Sequence, residues 1–122
     1  MAALTSAEIG SIVLNLIEDI PDNISGILPT IVDQERFFVE QYTNDTIGAS
    51  IADKYQPAII SLTSSSVLSF MESQGIGTKS VKIGDISITK GLGEQSSKLL
   101  RNDGMSKLNA LGATVSFYKA NG

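Results

Sequence analysis

Apolar residues recur at helical spacing in the first part of the chain, and this spacing constrains the fold more than any other feature. Thr5-Ser6-Ala7-Glu8 has the pattern of a capping box, which predicts that a helix begins after Thr5. An apolar stripe at i, i+3, i+4, i+7, i+8 and i+11 follows, formed by Ile9, Ile12, Val13, Leu16, Ile17 and Ile20. Pro21-Asp22-Asn23 then ends the predicted helix. This pattern favours a mainly α fold.

A second helix is predicted to begin at Pro29, because proline suits the first helical turn, and to end at Thr43-Asn44-Asp45-Thr46. Its buried face is expected to consist of Leu28, Ile31, Val32, Phe38, Val39 and Tyr42. Glu35 interrupts this face. Its carboxylate is therefore expected either to reach the rim of the core or to have a partner.

A third helix is predicted with Pro57 in its first turn, Ser50 or Asp53 as its cap, and Gly75 after its end at about Gln74. Its apolar face is expected to consist of Ile59, Ile60, Leu62, Val67, Phe70 and Met71. Between these lie Ser61, Thr63, Ser64, Ser65 and Ser66. Such small side chains suit a crowded contact with another helix, and a solvated polar strip fits the pattern equally well.

After the third predicted helix, the apolar pattern changes from a helical period to a period of two residues. Apolar and polar residues alternate on both sides of Gly84-Asp85, which predicts a β-hairpin over about 80–90. A fourth helix is predicted from Glu94 to Leu111, with a bend or break at Gly104 because glycine costs about 1 kcal/mol relative to alanine. Its apolar positions are Leu99, Leu100, Met105, Leu108 and Leu111. Alternation over about 114–119 predicts a short carboxy-terminal strand.

The expected fold is therefore one domain over residues 1–122: a small bundle of four helices with a β-hairpin and a short strand. Its length of 122 residues suits a single domain. Residues 113–122 form a candidate docking strand or tail. The apolar residues of the hairpin and strand are predicted to bind a partner, namely Val81, Ile83, Ile86, Ile88, Val115, Phe117 and Tyr118.

Composition excludes most catalytic chemistry. The chain contains no cysteine and no histidine, so thiol nucleophiles, zinc thiolates and the usual base near neutral pH are excluded. Gly75-Ile76-Gly77-Thr78-Lys79 is not a phosphate-binding loop, because Thr78 separates the glycine from the lysine. We expect no enzyme, no metal, no cofactor, no signal peptide and no membrane span.

Charge is distributed unevenly along the chain, whose formal net charge is −4. Residues 1–75 contain two bases and ten acids, whereas residues 76–122 contain seven bases and three acids. These charges either solvate two faces of one molecule or place the acidic part of one copy beside the basic part of the next.

The stretch from Phe37 to Gly48, together with Asp53-Lys54-Tyr55-Gln56-Pro57-Ala58-Ile59-Ile60, resembles the head–tail connector, or adaptor, proteins of tailed bacteriophages. In that family a helix with a similar end precedes a helix opened near proline, and a small β element and a further helix follow. The resemblance covers roughly residues 24–111.

This resemblance implies a structural virion protein of the phage neck, made in the host cytoplasm. Such adaptors form rings, typically of twelve copies, between the portal protein and the stopper or tail proteins. DNA passes through the ring without sequence-specific binding. A tail that docks on the portal would here fall on residues 115–122, although their strand pattern also suits pairing with the hairpin or with another subunit.

Two other interpretations stay open at this point. The protein could be a different neck component, such as a tail-completion or stopper protein. It could also be a small regulatory binding module without enzymatic activity. A hydrolase that uses carboxylates alone is disfavoured by the missing histidine and cysteine.

Overall fold

The structure, a computed structural model, describes residues 3–75, 80–83, 86–89 and 93–113, with the side chains of 80–83, 86–89, 93–96 and 112–113 left out. It is mainly helical, as predicted. The helices are α1 (Ser6–Leu16), α2 (Asp22–Ser25), α3 (Leu28–Thr43), α4 (Gln56–Ser73) and α5 (Gly93–Leu108). A 3₁₀ turn at Asp53–Tyr55 precedes α4, and a π-helical turn at Asn109–Ala113 follows α5.

The predicted capping box begins α1. The Thr5 N–H donates to Glu8 Oε1 at 2.9 Å, and the Glu8 N–H donates to Thr5 Oγ1 at 3.2 Å. The helix ends at Leu16, four residues before the end of its apolar stripe, because Ile17 already has an extended backbone with φ −111°. Ile17 nevertheless stays in the core, so the stripe predicts burial correctly where it overestimates the helix.

Helix α4 lies at the centre of the bundle and contacts α1, α3 and α5. It runs antiparallel to α5, since its Ser61 contacts Asp103 and its Ser65 contacts Ser97. Helix α3 runs parallel to α5 and therefore antiparallel to α4. Two groups of buried apolar side chains fill the spaces around α4. One group includes Val13, Leu28 and Leu100, and the other includes Ile9, Val39 and Leu108.

The serine-rich part of α4 is buried, which confirms a crowded helix contact in place of a solvated strip. Ser61, Thr63, Ser64 and Ser65 are at most 2% exposed. Two hydrogen bonds join Ser65 and Ser97 through their hydroxyls and backbone carbonyls, at 2.7 and 3.0 Å. These short polar side chains let α5 lie close to α4.

Gly104 makes the closest approach between α4 and α5, and α5 continues through it without a break. An added Cβ at this position would lie 2.7 Å from both Leu62 Cδ2 and Leu62 Cγ, and 3.2 Å from the Ala58 carbonyl oxygen. The helix does not break at Gly104, where the glycine allows close contact between the helices.

Several residues predicted on apolar faces are exposed. On α3 these are Phe38 and Tyr42, and on α4 it is Phe70. On the fourth predicted helix, Leu100 and Leu108 are buried, whereas Leu99 and Leu111 are exposed. Helical spacing therefore overestimates the width of the buried face on these helices.

Ser80–Ile83 (β1) pairs antiparallel with Ile86–Thr89 (β2) in a two-stranded sheet, with Val81 opposite Ile88 and Ile83 opposite Ile86. The Gly84-Asp85 turn lies outside the described residues, and so does the predicted strand at 114–119. The packing of a hairpin and the carboxy-terminal strand therefore stay predictions.

Candidate interaction surface

Three aromatic side chains of α3 are exposed along one helix, and together we call them the aromatic surface: Phe37, Phe38 and Tyr42. Phe38 is 38% exposed and Tyr42 is 39% exposed, and Phe37 is more exposed than either. The Phe38 and Tyr42 rings stack, with centroids 5.9 Å apart and planes 20° apart. Adjacent exposed aromatic rings of this kind are typical of protein interaction sites.

Two arginines border the aromatic surface. The Arg36 guanidinium lies 4.5 Å from the centroid of Phe37, and the Arg101 guanidinium lies 5.9 Å from that of Phe38. Each such contact contributes about 0.5–1 kcal/mol at an exposed site. The arrangement combines aromatic area with positive charge, and both features are enriched at interface hot spots.

Glu35 and Arg101 fix α3 against α5 beneath the aromatic surface. Arg101 Nη1 donates to Glu35 Oε1 at 2.8 Å, and Ser66 Oγ of α4 donates to Glu35 Oε2 at 2.6 Å. Arg101 Nη2 also donates to Ser66 Oγ at 3.0 Å. Because Glu35 is buried, these contacts compensate the cost of removing its charge from water. The prediction that Glu35 reaches the rim or has a partner is confirmed, and the partner is Arg101.

Tyr42 connects the aromatic surface to the end of α5. Its hydroxyl donates to Asn109 Oδ1 at 2.8 Å, at the start of the π-helical turn. The sequence gives no signal for this contact, because its two residues are 67 positions apart. As a result, the chain leaves α5 close to the aromatic surface.

The loop after α3 is held in place by Glu40. Its carboxylate accepts hydrogen bonds from the backbone N–H groups of Ile47 at 2.7 Å and Gly48 at 2.9 Å. The Gly48 and Ile47 N–H groups, followed by the charge of Arg36, hold the pKa of Glu40 below its ordinary value of 4.5. Glu40 thereby fixes the loop in which Asn44 and Gly48 have positive φ angles.

A second pair, Tyr55 and Asp45, stabilises the same loop. The Tyr55 hydroxyl donates to Asp45 Oδ2. This bond, together with the charge of Lys54, lowers the pKa of Asp45. Burial, and then the Asp45 carboxylate, raise the pKa of Tyr55. These groups hold one another in a structural role, so their shifted pKa values do not indicate a catalytic site.

A different apolar surface lies on α1 and the connection before α3. We call Leu14 and Ile27 the aliphatic surface, and their exposed fractions are 47% and 45%. A shallow hollow of about 220 Å³ separates α1 from α3 beside Leu14, and its other lining residues are Ala7, Gly10, Ser11, Ser25, Leu28 and Pro29. Ile27 directly precedes Leu28 of this lining in the chain. The aliphatic surface differs in chemistry from the aromatic surface because it contains neither rings nor arginines.

A polar hollow between α4 and α5 does not provide a ready ligand site. It measures about 290 Å³ and is lined by Ser65, Ser69, Ser97, Lys98, Arg101 and Asn102. The Ser69 and Ser97 hydroxyl oxygens are 2.6 Å apart, Ser65 and Ser97 bond each other, and Arg101 binds Glu35. Its polar groups therefore join helices to one another.

Of the seven residues predicted to bind a partner, the described part of the chain brings four opposite one another in the sheet. Val81 and Ile88 are register partners in the sheet, as are Ile83 and Ile86, but their side chains are not described. Val115, Phe117 and Tyr118 lie outside the described residues. The aromatic and aliphatic surfaces were not predicted as interaction sites, although the Phe37-Phe38 pair was visible in the sequence.

Comparison with known proteins gives no family assignment. No family model, no curated protein and no solved structure matches this chain. Within the described ranges, no three or more acidic, histidine or cysteine side chains cluster as a metal site would require. None of the described helices is long and apolar enough to cross a membrane.

Proposed function

We propose that this protein is a structural, non-enzymatic subunit of a ring, acting as an adaptor between the portal and the tail of a bacteriophage. One observation carries the proposal: a single small helical domain exposes two different apolar surfaces. Phe38 and Tyr42 belong to one surface, and Leu14 and Ile27 belong to the other. The resemblance of residues 24–111 to head–tail adaptors supplies the biological setting.

Two different surfaces are what a head-to-tail interface requires. In such an interface, one surface of a copy binds the other surface of the next copy, and the assembly closes into a ring if the rotation allows. The charge distribution supports this arrangement, because residues 1–75 carry ten acids against two bases and residues 76–122 carry three acids against seven bases. Twelve copies is the number that the resemblance implies.

The β1–β2 pair and the predicted carboxy-terminal strand also have roles in this proposal. The β1–β2 pair forms a hairpin that packs against the bundle or a neighbouring subunit, because an isolated hairpin is marginally stable in water. The predicted strand at 114–119 adds to a partner by β-augmentation. The portal protein and a stopper or tail protein are the proposed partners in the virion neck, and DNA passes through the ring without sequence-specific contacts.

Native mass spectrometry of two single variants tests the proposal. Phe37→Ser removes apolar area from the aromatic surface, and Leu14→Ser removes it from the aliphatic surface. Both side chains are exposed, so neither change should unfold the bundle. We expect each variant to weaken ring formation about tenfold or more, which corresponds to about 1.4 kcal/mol and is typical of the minority of interface residues that act as hot spots. Glu72→Gln, an exposed polar change on α4, is the control, because α4 contributes no residue to either surface.

Mixing the two variants identifies the type of interface. In a head-to-tail contact, the intact aliphatic surface of the Phe37→Ser chain binds the intact aromatic surface of the Leu14→Ser chain. The mixture should therefore form a one-to-one heterodimer that cannot grow into a ring. If the wild-type chain stays monomeric at all concentrations, including with a portal present, the ring proposal is wrong.

A further inference from the structure

The hollow between α1 and α3 has room for one aromatic ring. It measures about 220 Å³, and three small residues on one face of α1 line it, namely Ala7, Gly10 and Ser11. Leu14 of α1 and Leu28 of α3 add apolar side chains to the lining. A buried apolar cavity of about 150 Å³ holds a benzene molecule, so this hollow has room for a phenyl ring and its methylene group.

Phe37 is the most exposed ring of the aromatic surface. It is 55% exposed, whereas Phe38 and Tyr42 stack on each other. Phe37 follows Leu28 by nine positions on α3, which turns it to about the opposite side of the helix and places it about 13 Å further along the axis. Side chains extend the radius of a helix only from about 2.3 Å to about 5–6 Å. Phe37 therefore does not reach the hollow of its own copy and can enter only that of a second copy.

The rim of the hollow is acidic, and Phe37 lies beside a base. Residues 1–35 contain six acids and no lysine or arginine. Among these acids, Asp22 is exposed on α2, three positions before Ser25, which lines the hollow. The Arg36 guanidinium lies 4.5 Å from the centroid of the Phe37 ring. A ring that enters the hollow therefore brings a guanidinium to an acidic rim, and this complementary charge favours a second copy of the chain as the occupant.

We propose that the Phe37 ring of one copy occupies the hollow between α1 and α3 of the next copy, with Arg36 against the acidic rim. The ion pairs of Arg36 within its own chain are long, at 3.6 Å to Asp33 and 3.5 Å to Glu40. A guanidinium has five N–H donors, so these pairs leave donors for an acid of the next copy. The inference rests on the proposed head-to-tail ring and names the side chain and the hollow that join its subunits.

Filling the hollow tests the inference. Ser11→Leu places a large apolar side chain at an exposed position of the lining, and the control Asn15→Leu adds the same side chain one turn further along α1, outside the lining. In sedimentation velocity, Ser11→Leu should weaken self-association about tenfold or more, whereas Asn15→Leu should associate at least as strongly as the wild type. If burial of apolar area alone joined the copies, neither change would weaken association. Circular dichroism checks folding, and Ala7→Leu, at another exposed lining position, replaces Ser11→Leu if that chain does not fold.

Methyl NMR of a mixture locates the ring directly. A Phe37→Ser chain with labelled leucine methyl groups keeps the hollow, and an unlabelled Ser11→Leu chain keeps Phe37. Their pairing should shift the methyl signals of Leu14 and Leu28 through the ring current of Phe37, while those of the fully buried Leu100 stay in place. An unlabelled chain that carries both Phe37→Ala and Ser11→Leu is the control and should cause no shift.

The outcomes separate this inference from the ring proposal. A heterodimer without these shifts, or a Ser11→Leu chain that associates as strongly as Asn15→Leu, would overturn the inference and leave the ring proposal standing. If the shifts occur but the wild-type chain forms only pairs or open chains, the inference holds and the ring proposal is wrong. Absence of both association and shifts at millimolar concentration contradicts both.

Discussion

Replacing Gly104 by alanine tests whether α4 and α5 approach as closely as the structure shows. In an open helical position, glycine to alanine stabilises a helix by about 1 kcal/mol. Here the new methyl group would lie 2.7 Å from two carbon atoms of Leu62, whereas carbon atoms in good contact are about 3.5–4.0 Å apart. Leu62 is fully buried, so it can move only by displacing other core side chains.

Overpacking of this kind costs about 1–3 kcal/mol. Subtracting the gain in helix preference leaves a net destabilisation of about 0–2 kcal/mol for Gly104→Ala. The matched control is the pair Ser106→Gly and Ser106→Ala, at an exposed position one half-turn further along α5. There, alanine should be more stable than glycine by about 1 kcal/mol. The sign of the effect should therefore differ between positions 104 and 106.

Urea denaturation measures both differences, and 1 kcal/mol moves the midpoint by about 0.5–1 M for a chain of this size. Leu62→Ala in both backgrounds provides a second test. Alone it should cost about 2–5 kcal/mol, and in the Gly104→Ala chain it should cost less because the added methyl group fills part of the cavity. If Gly104→Ala stabilises the protein as much as alanine does at 106, the close contact between the helices is wrong.

Three further predictions concern single contacts. Arg101→Met should destabilise the protein by about 2–3 kcal/mol in urea denaturation, because it leaves Glu35 buried and charged. Adding Glu35→Leu should recover part of this loss. If the double variant is as unstable as Arg101→Met alone, the pairing is contradicted. Glu40→Gln should lower stability at neutral pH, and the difference from wild type should shrink as the pH falls below about 4.5, since a lowered carboxyl pKa stabilises the folded state only while the group is ionised. A pH-independent difference in urea midpoints between about pH 3 and 7 would show that the charge of Glu40 is not involved. Thr5→Ala should cost about 1 kcal/mol by removing the cap of α1, with Ser11→Ala as the exposed control; equal thermal stability of the two variants would argue against the capping box.

Local signals in the sequence predict local structure well. Thr5 and Glu8 predict the start of α1 because both hydrogen bonds of the capping box are formed within four residues. Pro29 and Pro57 lie in the first turns of α3 and α4 as predicted. Gly75 follows α4 with a positive φ of 76°, which is favourable for glycine.

The candidate site depends on contacts that sequence patterns do not contain. Glu35 and Arg101 are 66 residues apart, and no periodicity relates them. Phe38 and Tyr42 follow the helical period of the core face, yet they are exposed because α5 lies beside them and does not cover them. The period specifies the direction of a side chain from its own helix. It does not specify how far the neighbouring helix extends over that side chain.

The close contact at Gly104 and the aromatic surface depend on each other. Because Gly104 has no side chain, α5 lies close to Leu62, and the same position of α5 brings Arg101 to Glu35 and Asn109 to Tyr42. A larger residue at 104 would move α5 away from α4 and lengthen both contacts with α3. Arg101 would then leave the Phe38 ring, and Tyr42 would lose the bond that holds it beside the end of α5. The surface proposed for assembly is therefore shaped in part by the contact between α4 and α5, and a packing change at Gly104 should alter binding as well as stability.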